Sequence, residues 1–359
     1  MGLRYSVSLM EDARSRLALF IPGLFGPVVK TAGADLDEGL RLRALPILLA
    51  RGTATSPLGD VTEYALCQLF DVRWPGGSDP PIAALTWLVD GPKSAREPSA
   101  WMRADPVHLS PDSQRLLLLD SSAFTLRDDE AQALAAELQP LMQDLKGRLE
   151  VAVPARWYLG LADIPRIRTR TLTEALGRDI HGFMPSGPDR ELWHRFINEV
   201  QMVLHATAVN AAREERGELP INSLWFWGAG RLPEVPERRW ARVYSDDLLS
   251  RGLAAFTRTP IAGLPDRLEA LQAGLKSVGN VLVIFSEGLR YSHYPDIEGW
   301  REFILRLERD WFQPLLVALK TKQISELTIH TGDSKSFTVN RSALWRWWRR
   351  AKPVRQYGL

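Results

Sequence analysis

A single cysteine, Cys67, stands in a chain of 359 residues. One thiol cannot close an internal disulfide, and it excludes a multi-cysteine zinc site. That usage fits a reducing compartment, so a cytoplasmic protein is expected. Cys67 lies in the apolar run Tyr64-Ala65-Leu66-Cys67-Gln68-Leu69-Phe70 and reads as a buried, unreactive thiol. Long hydrophobic runs are missing too. No stretch approaches the roughly 20 apolar residues that span a bilayer. The run from Leu17 to Phe25 is short, is broken by Pro22 and Gly23, and follows Glu11-Asp12 rather than a basic start, unlike a secretory signal. Charge of one sign is absent as well. The formal net charge is +2, too small to argue for nucleic acid as a partner.

Several catalytic signatures are absent. There is no Gly-x-Ser-x-Gly elbow, so Pro22-Gly23-Leu24-Phe25-Gly26 after a strand reads as a plain turn rather than a hydrolase oxyanion loop. Neither a complete dinucleotide fingerprint nor a P-loop occurs. Of the six histidines, no two form the His-Glu-x-x-His pattern. Asp333, after Gly332 at a strand end, is the best single metal-ligand candidate, with His293 and Asp296 as possible companions. Asp246-Asp247 reads as a solvated helix start. No metal or cofactor is expected, with manganese or zinc as the alternative if the protein is active.

What is present is an ordinary soluble composition, 45% hydrophobic and 25% charged, enough for one large or two medium domains. Thirteen tryptophans point to large apolar interfaces between layers. Buried strands are expected at 17–21, 223–227, 281–285 and 327–330. Helices are expected at 36–45, 61–70, 189–216, 265–278 and 297–312. Their alternation supports a largely parallel sheet flanked by helices. Strands at 116–120, 149–153 and 156–159 with a helix at 126–145 read as a small α+β module. The expected division is an α/β core of residues 1–103 and 174–359, with residues 104–173 inserted.

The most informative stretch runs from Asp179 to Pro233. A long amphipathic helix leads to the strand Leu224-Trp225-Phe226-Trp227, closed by Gly228-Ala229-Gly230-Arg231. Such a strand end is a common ligand position in α/β proteins. The two glycines admit either a phosphate or close packing. Arginine suits a phosphate because its fork is planar and bidentate, and Arg103 and Arg231 are the two most favoured here. At the other end, Leu344-Trp345-Arg346-Trp347-Trp348-Arg349-Arg350 interleaves aromatics with cations. Such a pattern can meet nucleic acid or a membrane face, and here it reads either as an anchored C-terminal helix with its arginines outside or as a partner surface, a protein included.

The segments Gly177-Arg178-Asp179-Ile180, His205-Ala206-Thr207-Ala208-Val209-Asn210, Arg213 and Ile221-Asn222-Ser223-Leu224-Trp225-Phe226-Trp227-Gly228-Ala229-Gly230 are ordered motifs. Together with Trp101-Met102-Arg103-Ala104-Asp105, they resemble the archaeal-type cofactor-independent phosphoglycerate mutases of the alkaline phosphatase superfamily. The match covers roughly residues 100 to 255. Over the whole chain, Pro22-Gly23-Leu24-Phe25-Gly26-Pro27, Asn198-Glu199-Val200-Gln201-Met202 and Asn222-Ser223-Leu224-Trp225 resemble the RpfE-type bacterial regulatory proteins, a family without a known reaction. The mutase resemblance implies an alkaline-phosphatase-like core.

The departures from the mutase pattern fall at the catalytic positions. Where the mutases open with a metal-binding Asp-Gly, this chain has Ile21-Pro22-Gly23. Their nucleophilic Gly-Ser-Asp meets Leu58-Gly59-Asp60. Their late histidine-rich ligand set meets Phe285 to His293, and their Asp-His-Ser-Thr-Pro meets Asp333-Ser334-Lys335-Ser336-Phe337. Phosphoryl transfer by that mechanism depends on two metals. The resemblance therefore implies a degenerate, non-catalytic protein with a regulatory or phosphorylated-metabolite-binding role. The expected binding residues are Arg103, Asp105, Asp179, Asn210, Arg213, Asn222 and Arg231. Two alternatives stay open. One is an active mutase or phosphatase rebuilt around Asp60, His293 and Asp333; the other is a scaffold that works through the Trp/Arg segment.

Overall fold

The computed structural model describes residues 15–26, 40–59, 61–92, 100–112, 115–271, 279–293, 296–332 and 335–358. The chain divides into two compact units, one of Met1–Asp71 with Glu237–Leu359 and one of Val72–Pro236.

The first unit is built on a seven-stranded sheet. Its strands are β1 (Arg16–Phe20), β2 (Thr53–Thr55), β8 (Arg242–Tyr244), β9 (Ile261–Ala262), β10 (Asn280–Ile284), β11 (Glu326–His330) and β12 (Ser336–Asn340), in the order β2-β12-β11-β1-β10-β8-β9. β1 runs parallel to both neighbours, with Phe20 opposite Ile284 on one side and His330 on the other. β8 and β9 continue the parallel arrangement, and β12 and β2 form an antiparallel edge. The near-continuous apolar run of β10 follows from burial on both faces. Helices α1 (Ala44–Arg51), α2 (Thr62–Leu69), α8 (Leu248–Phe256), α9 (Gly288–His293), α10 (Ile297–Leu307) and α11 (Gln313–Lys320) surround the sheet strands in sequence. Leu45, Leu48, Trp300, Phe303, Ile304, Phe312 and Leu315 pack with Leu19, Val283 and Ile329 in one core. Cys67 is buried on α2, and burial pushes its thiol well above the ordinary range, as an inert thiol requires.

Two helices of this unit differ from expectation: over 265–278 the described residues show only a 3-10 turn, Leu268–Leu271, and 272–278 lie outside the described residues. Periodicity predicts a helix over 36–45 that Pro46 ends; residues 36–39 lie outside the described residues, and the helix seen begins at Ala44. Pro46 then sits in the first turn, where a missing N–H has no intrahelical partner to lose. No local side chain caps this end. Glu308 does so from far along the chain, accepting the N–H groups of Arg43 at 2.8 Å, Ala44 at 2.6 Å and Leu45 at 2.9 Å. Glu308 opens a π-helical turn, Glu308–Phe312, that joins α10 to α11.

The second unit carries an antiparallel sheet of β3 (Ala100–Asp112), β4 (Arg115–Leu119), β5 (Arg148–Val153), β6 (Arg156–Leu161) and β7 (Ser223–Gly230). β3 is its spine, pairing with β4, β6 and β7. The helices are α3 (Ile82–Asp90), α4 (Asp128–Asp144), the short α5 (Leu172–Ala175), α6 (Arg190–His205) and α7 (Ala208–Glu215). Asp128, Asp129 and Glu130 open α4, where the helix dipole favours them. Trp193 packs edge-to-face on both Phe196 and Phe226 in the core of this unit, and the two phenylalanine rings are tilted against each other.

Two differences matter for the site. β7 pairs antiparallel with β3, so the Trp-Phe-Trp strand belongs to this sheet and not to the parallel one. The second unit therefore extends on both sides of the expected 104–173 module. The single helix expected over 189–216 is two helices, because the Thr207 hydroxyl accepts the Asn210 N–H and starts α7 afresh.

Candidate functional site

In open α/β sheets ligands collect beyond the carboxyl ends of the strands. In the first unit β1, β10 and β11 end on one edge, and β8 ends there too. The chain leaves these strands through Ile21–Gly26, Phe285–Glu287, Thr331–Gly332 and Ser245–Asp247.

The loop after β1 is packed rather than open. Ile21 is buried, and its N–H donates to the His330 carbonyl at 2.8 Å. Pro22 to Phe25 form turns, with Gly23 and Gly26 at φ +73° and +82°. The Trp300 indole donates to the Leu24 carbonyl at 3.3 Å, and a Cβ on Gly26 would meet that indole at 2.9 Å. A Cβ on Gly288 would lie 2.1 Å from the Pro22 carbonyl oxygen. The loop is thus clamped between α10 and the start of α9, as a plain turn would be.

The acidic groups near this edge have internal partners. Asp247 caps α8 through the Ser250 N–H and hydroxyl, each at 2.8 Å. Asp246 accepts the Leu264 N–H at 3.3 Å. Glu287 accepts the Tyr291 hydroxyl at 3.2 Å and pairs with Arg306. Asp296 caps α10 through Gly299 at 2.9 Å. His330, buried at the end of β11, shares a hydrogen bond of 2.8 Å between Nδ1 and Ser336. Burial, helped by the charge of Arg239, pushes its imidazole down to about 4, so the ring is neutral near pH 7. Asp60 and Asp333 lie outside the described residues, as does the side chain of His293.

The second unit holds a buried polar lattice. Because β-strand side chains alternate, Arg103 and Asp105 share one face of β3. Arg103 donates from Nε at 3.1 Å and Nη2 at 2.6 Å to one oxygen of Asp105, and the Trp227 indole donates to the other at 2.7 Å. The guanidinium lies 5.0 Å from the Tyr158 ring centre and 5.4 Å from that of Trp227. The Tyr158 hydroxyl donates to Asp90 at 2.7 Å, and Arg156 grips Asp90 with a bidentate fork at 2.8 and 2.9 Å. Burial works against the Arg103 charge, but Asp105, Tyr158 and Asp90 together outweigh it and keep the guanidinium protonated, while burial pushes the Asp105 carboxyl up.

The other expected binding residues are spread over this unit. Asn210 is buried and ties the end of α6 to the start of β7, donating to the carbonyls of Leu204 and Ile221 and accepting the Ile221 N–H, each at 2.8 Å. Arg213, fully buried, donates to the carbonyls of Leu219 and Thr125 and pairs with Glu130 at 2.8 Å. Asn222 grips the Leu109 backbone from both sides, at 2.7 and 2.9 Å. Asp179 caps a 3-10 turn and holds His181 at 2.7 Å. Arg231 is half exposed and reaches the Ala162 carbonyl and Asp163, both at 3.2 Å. The two glycines of β7 serve packing: a Cβ on Gly230 would lie 2.6 Å from Pro81 Cβ, and one on Gly228 3.0 Å from Ile82 Cβ.

No established family profile matches the chain. It is 25% identical over 222 residues to the 2,3-bisphosphoglycerate-independent phosphoglycerate mutase of Methanosarcina mazei, across 58% of this chain and 53% of that protein. It is 26% identical over 137 residues to the probable 2,3-bisphosphoglycerate-independent phosphoglycerate mutase of Geobacter sulfurreducens, across 37% of this chain and 34% of that one. This chain is remotely similar to the cofactor-independent phosphoglycerate mutases. The similarity spans about half the length of the first of these relatives, and less of the second. Among solved structures, the PH0037 protein from Pyrococcus horikoshii shares the fold, with a TM-score of 0.52 at 15% identity over 91% of this chain and 87% of that one. The expected α/β class, with a largely parallel sheet flanked by helices, is the class observed.

The mutase similarity implies metals, and the described residues do not fit a two-metal site. No three His, Cys, Asp or Glu side chains among them converge, and the acids near the sheet edge are held by helix caps, backbone or arginine. Sequence reasoning missed Asp90 and Tyr158 in the buried lattice, and Glu130, which takes both Arg213 and Arg216. The available signal was the two-residue spacing of Arg103/Asp105 and Arg156/Tyr158 on neighbouring strands. Among the described residues no helix is long and apolar enough to cross a membrane.

Proposed function

We propose that this phosphoglycerate-mutase-like chain has left catalysis and serves a regulatory role of the RpfE type, by binding a phosphorylated metabolite without turning it over. The observation that carries this is the end of β1. The metal-binding acid of the mutase pattern is replaced there by Ile21-Pro22, and the loop is wedged against Gly288 and Trp300. Two-metal phosphoryl transfer depends on cations that clamp the transferring oxygens and activate the nucleophile. An apolar, clamped loop supplies neither a ligand nor room for one.

Of the seven expected binding residues, Arg231 offers the guanidinium that a phosphate reaches most readily, because its side chain is half exposed at the end of β7. Titration calorimetry of 3-phosphoglycerate into chelator-treated protein tests the proposal. A non-catalytic binder takes up the ligand without metal, and Arg231→Ala weakens it several-fold. Binding that appears only when manganese or zinc is restored favours a rebuilt, active site instead. No binding under either condition removes the metabolite from the account.

A further inference from the structure

The segment from Arg341 to Lys352 carries apolar surface that the fold does not use. Trp345, Trp347 and Trp348 are 73%, 74% and 64% exposed, whereas Trp157, Trp193, Trp300 and Trp311 are fully buried. The exposed rings are held out by a pinned loop. Ala343 and Leu344 before them and Val354 after them are buried in the core of the first unit. Arg346 donates to the Arg51 carbonyl at 3.2 Å, and Arg349 to the Gly52 carbonyl at 2.8 Å. None of the three indole N–H groups meets an acceptor among the described residues.

The segment that carries these rings holds charge of one sign. Residues 334–359 contain seven Lys and Arg and no Asp or Glu, in a chain whose net charge is only +2. A cavity of about 410 Å³ opens here, lined by Arg51, Lys320, Arg341, Leu344, Trp345 and Trp347. Arg51 donates to the Leu344 carbonyl at 2.7 Å, and no carboxylate pairs with Arg51, Lys320 or Arg341 among the described residues. Val317, 55% exposed, lies one turn before Lys320 on α11 and adds apolar surface beside it.

We propose that this face docks on an anionic phospholipid surface. A headgroup phosphate sits among Arg51, Lys320 and Arg341, and Trp347 and Trp348 enter the interfacial layer. Indole rings favour that layer because their body is apolar and their N–H still finds a polar partner. Cations add electrostatic attraction to anionic headgroups, and the two signals together make stable peripheral attachment. A single strand of nucleic acid fits less well. Trp347 and Trp348 cross at 80° with centres 6.1 Å apart, so successive bases cannot stack on both. A uniformly basic rim without an acid suits a laterally uniform anionic surface.

Co-sedimentation of the full chain with phosphatidylcholine vesicles, with and without phosphatidylglycerol, tests the proposal, with tryptophan fluorescence as a second readout. The expected result is sedimentation and a blue shift only with the anionic vesicles, weakened by salt. Lys320→Ala with Arg341→Ala lowers affinity by about 25-fold, from about fivefold per lost cation. Trp347→Ala with Trp348→Ala abolishes the blue shift at an unchanged melting temperature, since both side chains are exposed. Equal binding to neutral vesicles, or no sedimentation with anionic ones, overturns it. So does tryptophan-dependent binding of a single-stranded oligonucleotide or an acidic protein in place of vesicles.

Discussion

Asp105 takes both Arg103 contacts on one oxygen and leaves the other to Trp227, so the pair is closed on itself. Removing one partner of a buried ion pair strands the other charge. Arg103→Ala is therefore expected to destabilise the second unit by about 3–5 kcal/mol in urea denaturation. A guanidinium reserved for a ligand would instead leave stability unchanged. His330 gives a pH test. Its folded imidazole titrates near 4, below the ordinary 6.5, because of burial and then Arg239. The unfolded chain thus binds more protons between these values, and stability falls as pH drops from about 6.5 towards 4. Between pH 7 and pH 5 this group removes about 2 kcal/mol, and His330→Asn flattens that part of the profile. Arg103, Asp105 and Asn210 were legible in the sequence as polar residues in ordered motifs. Their partners were not, because hydrogen bonds such as Trp227 to Asp105 join residues far apart in the chain.

At the scale of elements, α1 depends on a residue more than 250 positions away. Glu308→Ala leaves three N–H groups at a buried helix start without their acceptor, and a loss of about 2–4 kcal/mol is expected in chemical denaturation. An unchanged midpoint would mean that water replaces the carboxylate. Gly230→Ala places a methyl group 2.6 Å from Pro81 and forces β7 off α3, with an expected cost of about 1–3 kcal/mol. Elements with strong local signals were legible: the acidic start of α4 and the apolar run of β10 both sit within two residues of expectation. β3 was not, because Pro106 and Pro111 argue against a long strand, yet the strand spans Ala100–Asp112 as the spine of its sheet. The α6–α7 break turns on the single hydroxyl of Thr207, which periodicity does not register.

At the scale of the whole molecule, alternating strands and helices made the parallel sheet legible, while the ownership of β7 was not. An apolar strand ending in Gly-x-Gly-Arg reads alike in either kind of sheet, and only pairing with β3 assigns it. The ordered motifs that resemble the mutases hold the antiparallel unit together through Asn210, Arg213 and Asn222. Retained motifs therefore warrant the fold more strongly than the reaction. The chain is proposed not to turn over phosphoglycerate. Phosphorus NMR of 3-phosphoglycerate with concentrated protein and added manganese tests it most directly. No 2-phosphoglycerate or free phosphate signal should grow beyond the protein-free control. A new signal that disappears in Asp333→Ala would contradict the claim and show that the site had been rebuilt.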